Sequence, residues 1–405
     1  MNDVITSKFA KLGVDSAPGQ EALQEGGAVE LRGPKLEGTP VDFSHGDVDA
    51  HVPIPGSLEI FSEGYEEGGE QAYTPYRGRQ EIREDLAEKL ASFSRAPIDP
   101  NSEIILTPGT QGALFLAMGA NVGRGDKVAI IEPDYFANRK LVEFFDGELV
   151  TVQMDYFGTD HGSGIDLARL EEVFRSGVKL FLFSNPNNPT GTVYSRDEVL
   201  RIANLAQQYG VKVIADQLYS RQIFDDGEYT HIRELGGLNP DNLLTILGPS
   251  KTESLSGFRL GVGFGSFQMI ERMEKLQAIV SLRTAGYCQA VFSRWFSEPE
   301  GWMKERVAAH QAIRDEIYDT LNAAEGFKVR RPDGGSYLFP GIPEIDLSIK
   351  DFATALRQHA GVIVTPGTEF GPQFGQSFRI NFSQDHRAAV AAMERTVELV
   401  ARYRV

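Results

Sequence analysis

The chain has 405 residues, 41% hydrophobic and 24% charged, with a formal net charge of −17 and a pI near 5.0, an acidic balance that excludes a nucleic-acid surface built on basic patches. Its length exceeds the size at which a single hydrophobic core stops growing, so two packed parts are expected. Cys288 is the one cysteine, which rules out an intrachain disulfide, and the seven histidines have no zinc-like spacing, so no metal site is supported. The opening residues lack the apolar core of a signal peptide and no run is apolar enough to span a membrane, so a cytoplasmic protein is expected.

Residues 1 to about 45 are polar and Gly-rich and read as an irregular arm, followed by a glycine- and proline-punctuated loop, FSHGDVDAHVPIPGS. From Gln80 the pattern turns helical, with Ile82, Leu86, Leu90 and Phe93 on one face. A strand over Glu103–Thr107 runs into Pro108-Gly109-Thr110-Gln111-Gly112 and then an apolar helix to about Asn121. Strand, glycine turn, helix is the arrangement that aims backbone N–H groups at an anion. Short Val/Ile/Leu-rich runs at Lys127–Glu132, Leu149–Met154, Lys179–Ser184, Val211–Asp216 and Leu243–Leu247 alternate with helical segments, which predicts a mainly parallel sheet covered on both faces. Ser195 and Glu198 form a capping box that marks one helix start.

After Gly265 the spacing predicts long helices over Phe267–Gln289 and Trp302–Asn322, then a small sheet in GFKVRRPDGGSYLFPGIP, a strand over Ser377–Phe382 and an amphipathic helix using Val390, Met393, Val397 and Val400. The expected architecture is α/β: a large domain over 49–285 with a mainly parallel sheet, and a smaller α+β domain over 286–405 to which the arm, 1–48, contributes.

Chemistry concentrates around Leu243–Gly265, LLTILGPSKTESLSGFRLGVGFG, which sets Lys251 between two apolar runs with Arg259 just beyond. Ser250-Lys251-Thr252 ends like a phosphate loop but lacks glycine directly before the lysine, and Gly261-Val262-Gly263 has Ser266 where a dinucleotide fingerprint needs its third glycine. Asn188, Asp216, Tyr219 and Lys251 all fall at or just past the ends of predicted parallel strands, where open α/β sheets bind ligands. Singly, each has a bland reading. NPNNPTG makes a tight turn, Asp216 an N-cap, Tyr219 a half-buried aromatic, Arg259 a surface ion pair, and Lys251 a solvated loop residue.

In their joint order, Asn185–Gly191 (NPNNPTG), Asp216 with Tyr219, Ser250-Lys251 with Gly257-Phe258-Arg259, and Phe378-Arg379 through Ser383 resemble the fold type I, class I/II aminotransferases that use pyridoxal 5′-phosphate. The resemblance runs from about Tyr73 to the C-terminus. It implies an amino acid:2-oxo acid aminotransferase in which Lys251 forms a Schiff base with the cofactor and moves the substrate's proton, while Asp216 pairs with the pyridine nitrogen. Tyr219 and Asn188 would bond the phenolic oxygen, and Tyr135 would stack on the ring. Gly109, Thr110 and Gln111 would cradle the phosphate with Ser250 and Arg259. Arg379, with Asn188, would bind the substrate carboxylate. Tyr73 would reach the phosphate of a neighbouring subunit, implying a homodimer.

Gly248 stands where the family commonly has serine. Arg283 lies roughly where dicarboxylate-specific relatives carry a second arginine, although a helix-surface salt bridge is the favoured reading. The neutral Gln111, at a position where some relatives use lysine, leans away from aspartate and glutamate. A carbon–sulfur β-lyase would use the same site. A pyridoxal phosphate-binding transcription regulator would need a basic helix-turn-helix module, and the residues before Tyr73 are too few and too acidic for one.

Overall fold

The computed structural model describes residues 3–13, 29–46 and 50–405; of the arm expected over 1–48, residues 1–2, 14–28, 47 and 48 lie outside that set. The described chain begins with α1 (Val4–Ala10), β1 (Val41–Asp42), α2 (Ser57–Glu66), α3 (Gly69–Ala72) and α4 (Gln80–Ser94). Then come β2 (Ile104–Pro108), α5 (Gly109–Asn121), β3 (Lys127–Glu132), α6 (Phe136–Phe144), β4 (Glu148–Gln153), α7 (Leu167–Arg175), β5 (Leu180–Ser184), α8 (Arg196–Tyr209), β6 (Lys212–Asp216), β7 (Leu243–Leu247) and β8 (Leu260–Gly265). The rest is α9 (Phe267–Val280), α10 (Gly286–Gln289), α11 (Trp302–Asn322), β9 (Tyr337–Leu338), α12 (Ile349–Ala360), β10 (Val362–Ile363), β11 (Thr365–Pro366), β12 (Phe378–Asn381) and α13 (His386–Tyr403).

Seven strands form one sheet in the order β2-β8-β7-β6-β5-β3-β4. The β3–β4, β3–β5, β5–β6 and β6–β7 pairs are parallel, whereas β8 is antiparallel to both β7 and β2. Only β8 therefore runs against the rest. Period-2 alternation splits the strands between two cores: Ala129, Ile131, Phe181, Phe183, Val213 and Ala215 face one, and Val128, Ile130, Leu180, Leu182, Ile214 and Ile246 the other. Both faces are covered, which is why these strands read as continuous apolar runs. The capping box is present, and the Glu198 carboxylate also accepts the backbone N–H groups of Ser163 and Gly164, tying α8 to the loop before α7.

A third core lies beside β2 and β8 and takes in Ile54, Leu86, Val291, Phe292 and Trp295. A fourth joins Val41 and Phe43 to Ile313, Ile317, Phe352, Ile380 and Val400, around a three-stranded sheet of order β11-β12-β9 and a parallel β1–β10 pair. The first strand of the described chain is thus built into the C-terminal layer.

The long helix expected over Phe267–Gln289 is interrupted. α9 stops at Val280, and Leu282 turns left-handed at φ 62° with its N–H on Gln277 O, before a separate single turn, α10. No glycine or proline marks that break in the sequence.

Candidate active site

One cavity of about 310 Å³ opens at the carboxyl ends of the parallel strands. Its walls include Thr110 and Gln111 from the start of α5, Tyr135 ahead of α6, and Ser184 and Asn188 after β5. Asp216 and Tyr219 come from the end of β6, Ser250 and Lys251 from beyond β7, Arg259 from just before β8, and Arg379 from β12. Residues far apart in sequence converge because each strand ends at the same rim.

Asp216 is the electrostatic anomaly. Its half-buried carboxylate faces the cavity and accepts the Leu218 N–H at 3.1 Å, with no basic side chain within ion-pair distance among the described residues. Burial pushes its pKa up to about 6. A buried carboxylate without a cation costs stability unless something supplies the positive charge, and a protonated pyridine ring does so. Behind it, Asp134 bonds the Ser184 hydroxyl and accepts the Tyr135 N–H; burial and the Asp216 charge push it up to about 7. Ser184 Oγ in turn accepts the Asn188 N–H at 3.2 Å, so this acid fixes the Asn188 loop from below.

Arg379 is the mirror case. It is 4% exposed, donates to Asn188 Oδ1 (3.2 Å), Ser44 O (2.8 Å) and Thr365 Oγ1 (3.2 Å), and lies over the rings of Tyr337 and Phe370, while its Nε has no partner. No carboxylate of the described chain pairs with it, so the fork is left for an incoming one.

The anion cradle is packed to contact. Gly109 opens α5 at φ 74° and its N–H bonds Arg259 O at 2.9 Å. A Cβ on Gly109 would meet Arg259 Nη2 at 2.5 Å, and one on Gly261 would sit 2.2 Å from the Gly109 carbonyl carbon. The same crowding accounts for Gly248: a Cβ there would press on Leu260 O and Thr110 Cγ2, both at 2.9 Å. Ser250 keeps its hydroxyl at the cavity, donating to Leu260 O at 3.3 Å. Glycines that let a backbone turn and a guanidinium close on one helix start fit a phosphate. With the unpaired Asp216 and the Lys251 amine, 3.4 Å from Gly46 O, the donor set fits pyridoxal phosphate.

Tyr219 and Tyr135 take other partners in this structure. Tyr219 donates its hydroxyl to Tyr337 at 2.8 Å, and Tyr135 donates to Gln111 Oε1 at 3.2 Å. Burial raises both phenols above the ordinary range. Two expected site residues do not line the cavity: Gly109, whose N–H is taken by Arg259 O, and Tyr73, which stands apart at 83% exposed. Arg283 does not form the helix-surface salt bridge expected of it: it lies past the end of α9, 5.1 Å from the Tyr73 ring centroid and 5.4 Å from that of Tyr76. Sequence reasoning missed Ser44, Thr365 and Tyr337, which line the cavity from segments without a motif.

Comparison with known proteins agrees with this geometry. A crystal structure of an aspartate aminotransferase from Rhodobacter sphaeroides superposes with a TM-score of 0.94 at 58% identity, covering 99% of this chain and 100% of that one. The aspartate aminotransferase of Sulfurisphaera tokodaii is 29% identical over 343 residues, 82% of this chain and 84% of the relative. Aromatic-amino-acid aminotransferase 2 of Thermococcus litoralis is 26% identical over 326 residues, 80% of this chain and 82% of the relative. A match to the family described as aminotransferase class I and II runs over residues 41–394, through every residue of the cavity, and the chain belongs to that family of pyridoxal 5′-phosphate enzymes.

Proposed function

We propose that this aminotransferase takes L-aspartate as amino donor and a 2-oxo acid as acceptor. The observation that carries the site reading is the pair of charges without an ion-pair partner on one cavity, the half-buried Asp216 carboxylate and the buried Arg379 guanidinium. The donor is suggested by the 58% identical relative named an aspartate aminotransferase. Gln111 offers no charge for a second carboxylate, so that cation has to come from elsewhere, and Arg283, stacked beside Tyr73, travels with any surface that reaches a neighbouring site.

Pyridoxal phosphate supplies an aldehyde that binds amines covalently and a ring that takes up the electron pair left when an α-proton departs. Lys251 would hold that aldehyde, and its Nζ is the group placed to take and return the substrate's α-proton. Asp216 would pair with the pyridine nitrogen and keep it protonated. Asn188 would bond the phenolic oxygen, as would Tyr219 if its hydroxyl left Tyr337, and Tyr135 would cover the ring. The N–H groups of Thr110 and Gln111 would bind the phosphate together with Ser250 and Arg259, while Gly109, its own N–H held by Arg259 O, shapes the turn that brings them together. Arg379, steadied by Asn188, grips the α-carboxylate two-pronged, which aims the α-proton at the lysine.

Tyr73 acts in a second copy of the chain. It shares Arg283 with Tyr76, and Tyr76, Ile279, Val280 and Leu282 are all at least 42% exposed, the kind of apolar side chains a homodimer covers. Sedimentation equilibrium is expected to give a dimer of the 44.6 kDa chain, and a monomer at assay concentration contradicts the shared site. No described helix is long and apolar enough to cross a membrane, and a cytoplasmic enzyme is the proposed setting, to be checked by cell fractionation.

Incubated with aspartate and 2-oxoglutarate, the holoenzyme is expected to yield oxaloacetate and glutamate. Exchange with other amino acids but not aspartate would remove the donor assignment alone, whereas pyruvate and ammonia from a β-substituted amino acid, without exchange, would favour the lyase.

A second outcome concerns pH. Because the folded Asp216 holds its proton up to about pH 6 while the unfolded carboxyl releases it near the ordinary value of 3.8, this group lowers apoprotein stability as pH rises through that window. Asp216→Asn removes the buried charge. The apo variant is expected to melt about 2 °C above apo wild type at neutral pH, a shift of the order 1 kcal/mol makes in a large domain, and the gap should close below about pH 4. Its kcat with cofactor should fall at least about 100-fold. Equal melting of the two apoproteins at neutral pH would show that the carboxylate is not strained.

A further inference from the structure

The turn that carries Lys251 is held by a residue from a helix of the C-terminal part of the chain. Arg306, on the first turns of α11 and 8% exposed, donates Nη1 to Thr252 O at 3.0 Å and to Ser254 Oγ at 2.8 Å, and Nη2 to Val52 O at 2.8 Å. Its guanidinium also lies 4.6 Å from the Trp302 ring centroid. Thr252 follows the lysine directly, and Ser254 is a non-glycine residue at φ 55°, a conformation that needs outside support. Val52 belongs to the N-terminal segment whose Gly46 carbonyl accepts the Lys251 amine, and two residues on, Ile54 donates its N–H to Glu253 O at 3.0 Å. One planar fork therefore bonds both the turn directly after the lysine and the N-terminal segment at Val52 that packs on that turn. On the far side of the turn, the buried Glu253 carboxylate pairs with Arg221, two residues past Tyr219, and Arg221 pairs in turn with Glu298.

We propose that Arg306 is a positioning residue for Lys251, fixing the turn and the N-terminal segment so that the amine keeps one place while it is attached to cofactor and while it moves the proton. The inference rests on the assignment of Lys251 made above. Arg is suited to the task where Lys is not, because three acceptors on two segments need a rigid fork and not a single ammonium. Displacement of a reacting group by about 1 Å costs about 100-fold in rate, so a loosened turn shows in turnover before it shows in substrate affinity.

The test compares holoenzyme Arg306→Met and Arg306→Lys with wild type by two readings: kcat and KM for the amino acid turned over fastest, and the pH midpoint of the visible absorbance of bound pyridoxal phosphate without substrate. Arg306→Met is expected to lower kcat about 10- to 100-fold with KM within about twofold, and to move the absorbance midpoint, which reports the electrostatic setting of the lysine-held cofactor. Arg306→Lys should recover part of both. A kcat within about twofold of wild type, or a loss of kcat with the midpoint unmoved, would overturn the proposal. Should Arg306→Met not fold, Arg306→Lys decides by the same two readings. Lys251→Ala is run in parallel: full turnover there removes the lysine assignment itself, whereas an inert Lys251→Ala beside an unaffected Arg306→Met removes only the positioning role.

Discussion

An acid buried at the end of a central strand without a base to neutralise it is the constraint around which this molecule is arranged. Asp216 ends β6, between β5 and β7, half-buried at the rim where the covered sheet meets the cavity. Left alone, that carboxylate works against the fold. In the proposed function a protonated ring nitrogen would pair with it, and the same desolvation that works against the apoprotein would strengthen that pairing. Asp134, held by Ser184 just behind it, shows that the strand ends here tolerate acids only by bonding them or raising their pKa.

The reversed strand β8 shapes the other side of the cavity, where the proposed phosphate cradle lies. Running antiparallel between β7 and β2, it returns the chain so that Arg259 and Gly261 lie against the start of α5. Backbone contacts near 2.2 Å from an imagined Cβ leave room for glycine alone at position 261, and they bring a guanidinium and a helix N-terminus to one anion. The third charge, Arg379, comes from the C-terminal layer, whose sheet also incorporates Thr365 and Tyr337 beside it. The groups proposed for cofactor and for substrate thus come from different layers of the molecule and meet at one cavity with Lys251.

Much of this was legible in the sequence. The apolar runs fell on the observed strands because strands buried on both faces carry no polar alternation to confuse the pattern, and the capping box at Ser195 named a helix start that the structure contains. Asp216, Asn188, Lys251, Arg259 and Arg379 were each singled out, and the structure brings all five to one cavity. What stayed hidden depends on tertiary packing. The reversal of β8 leaves no local trace, since an apolar run reads alike in either direction. Leu282 turns left-handed without a glycine, so the end of α9 was overrun, and Arg283 was misread as a helix-surface residue when it stacks on Tyr73. Ser44 and Arg306 act on the site through a backbone carbonyl and a three-way fork from distant segments, which no motif spacing encodes.

The claim on which all of this turns is that one amine, that of Lys251, holds the cofactor. Borohydride reduction of the holoenzyme followed by peptide mass spectrometry tests it directly. The account predicts a phosphopyridoxyl group on the peptide containing Lys251 and on no other lysine; a modified peptide elsewhere, with Lys251 unmodified, would contradict it.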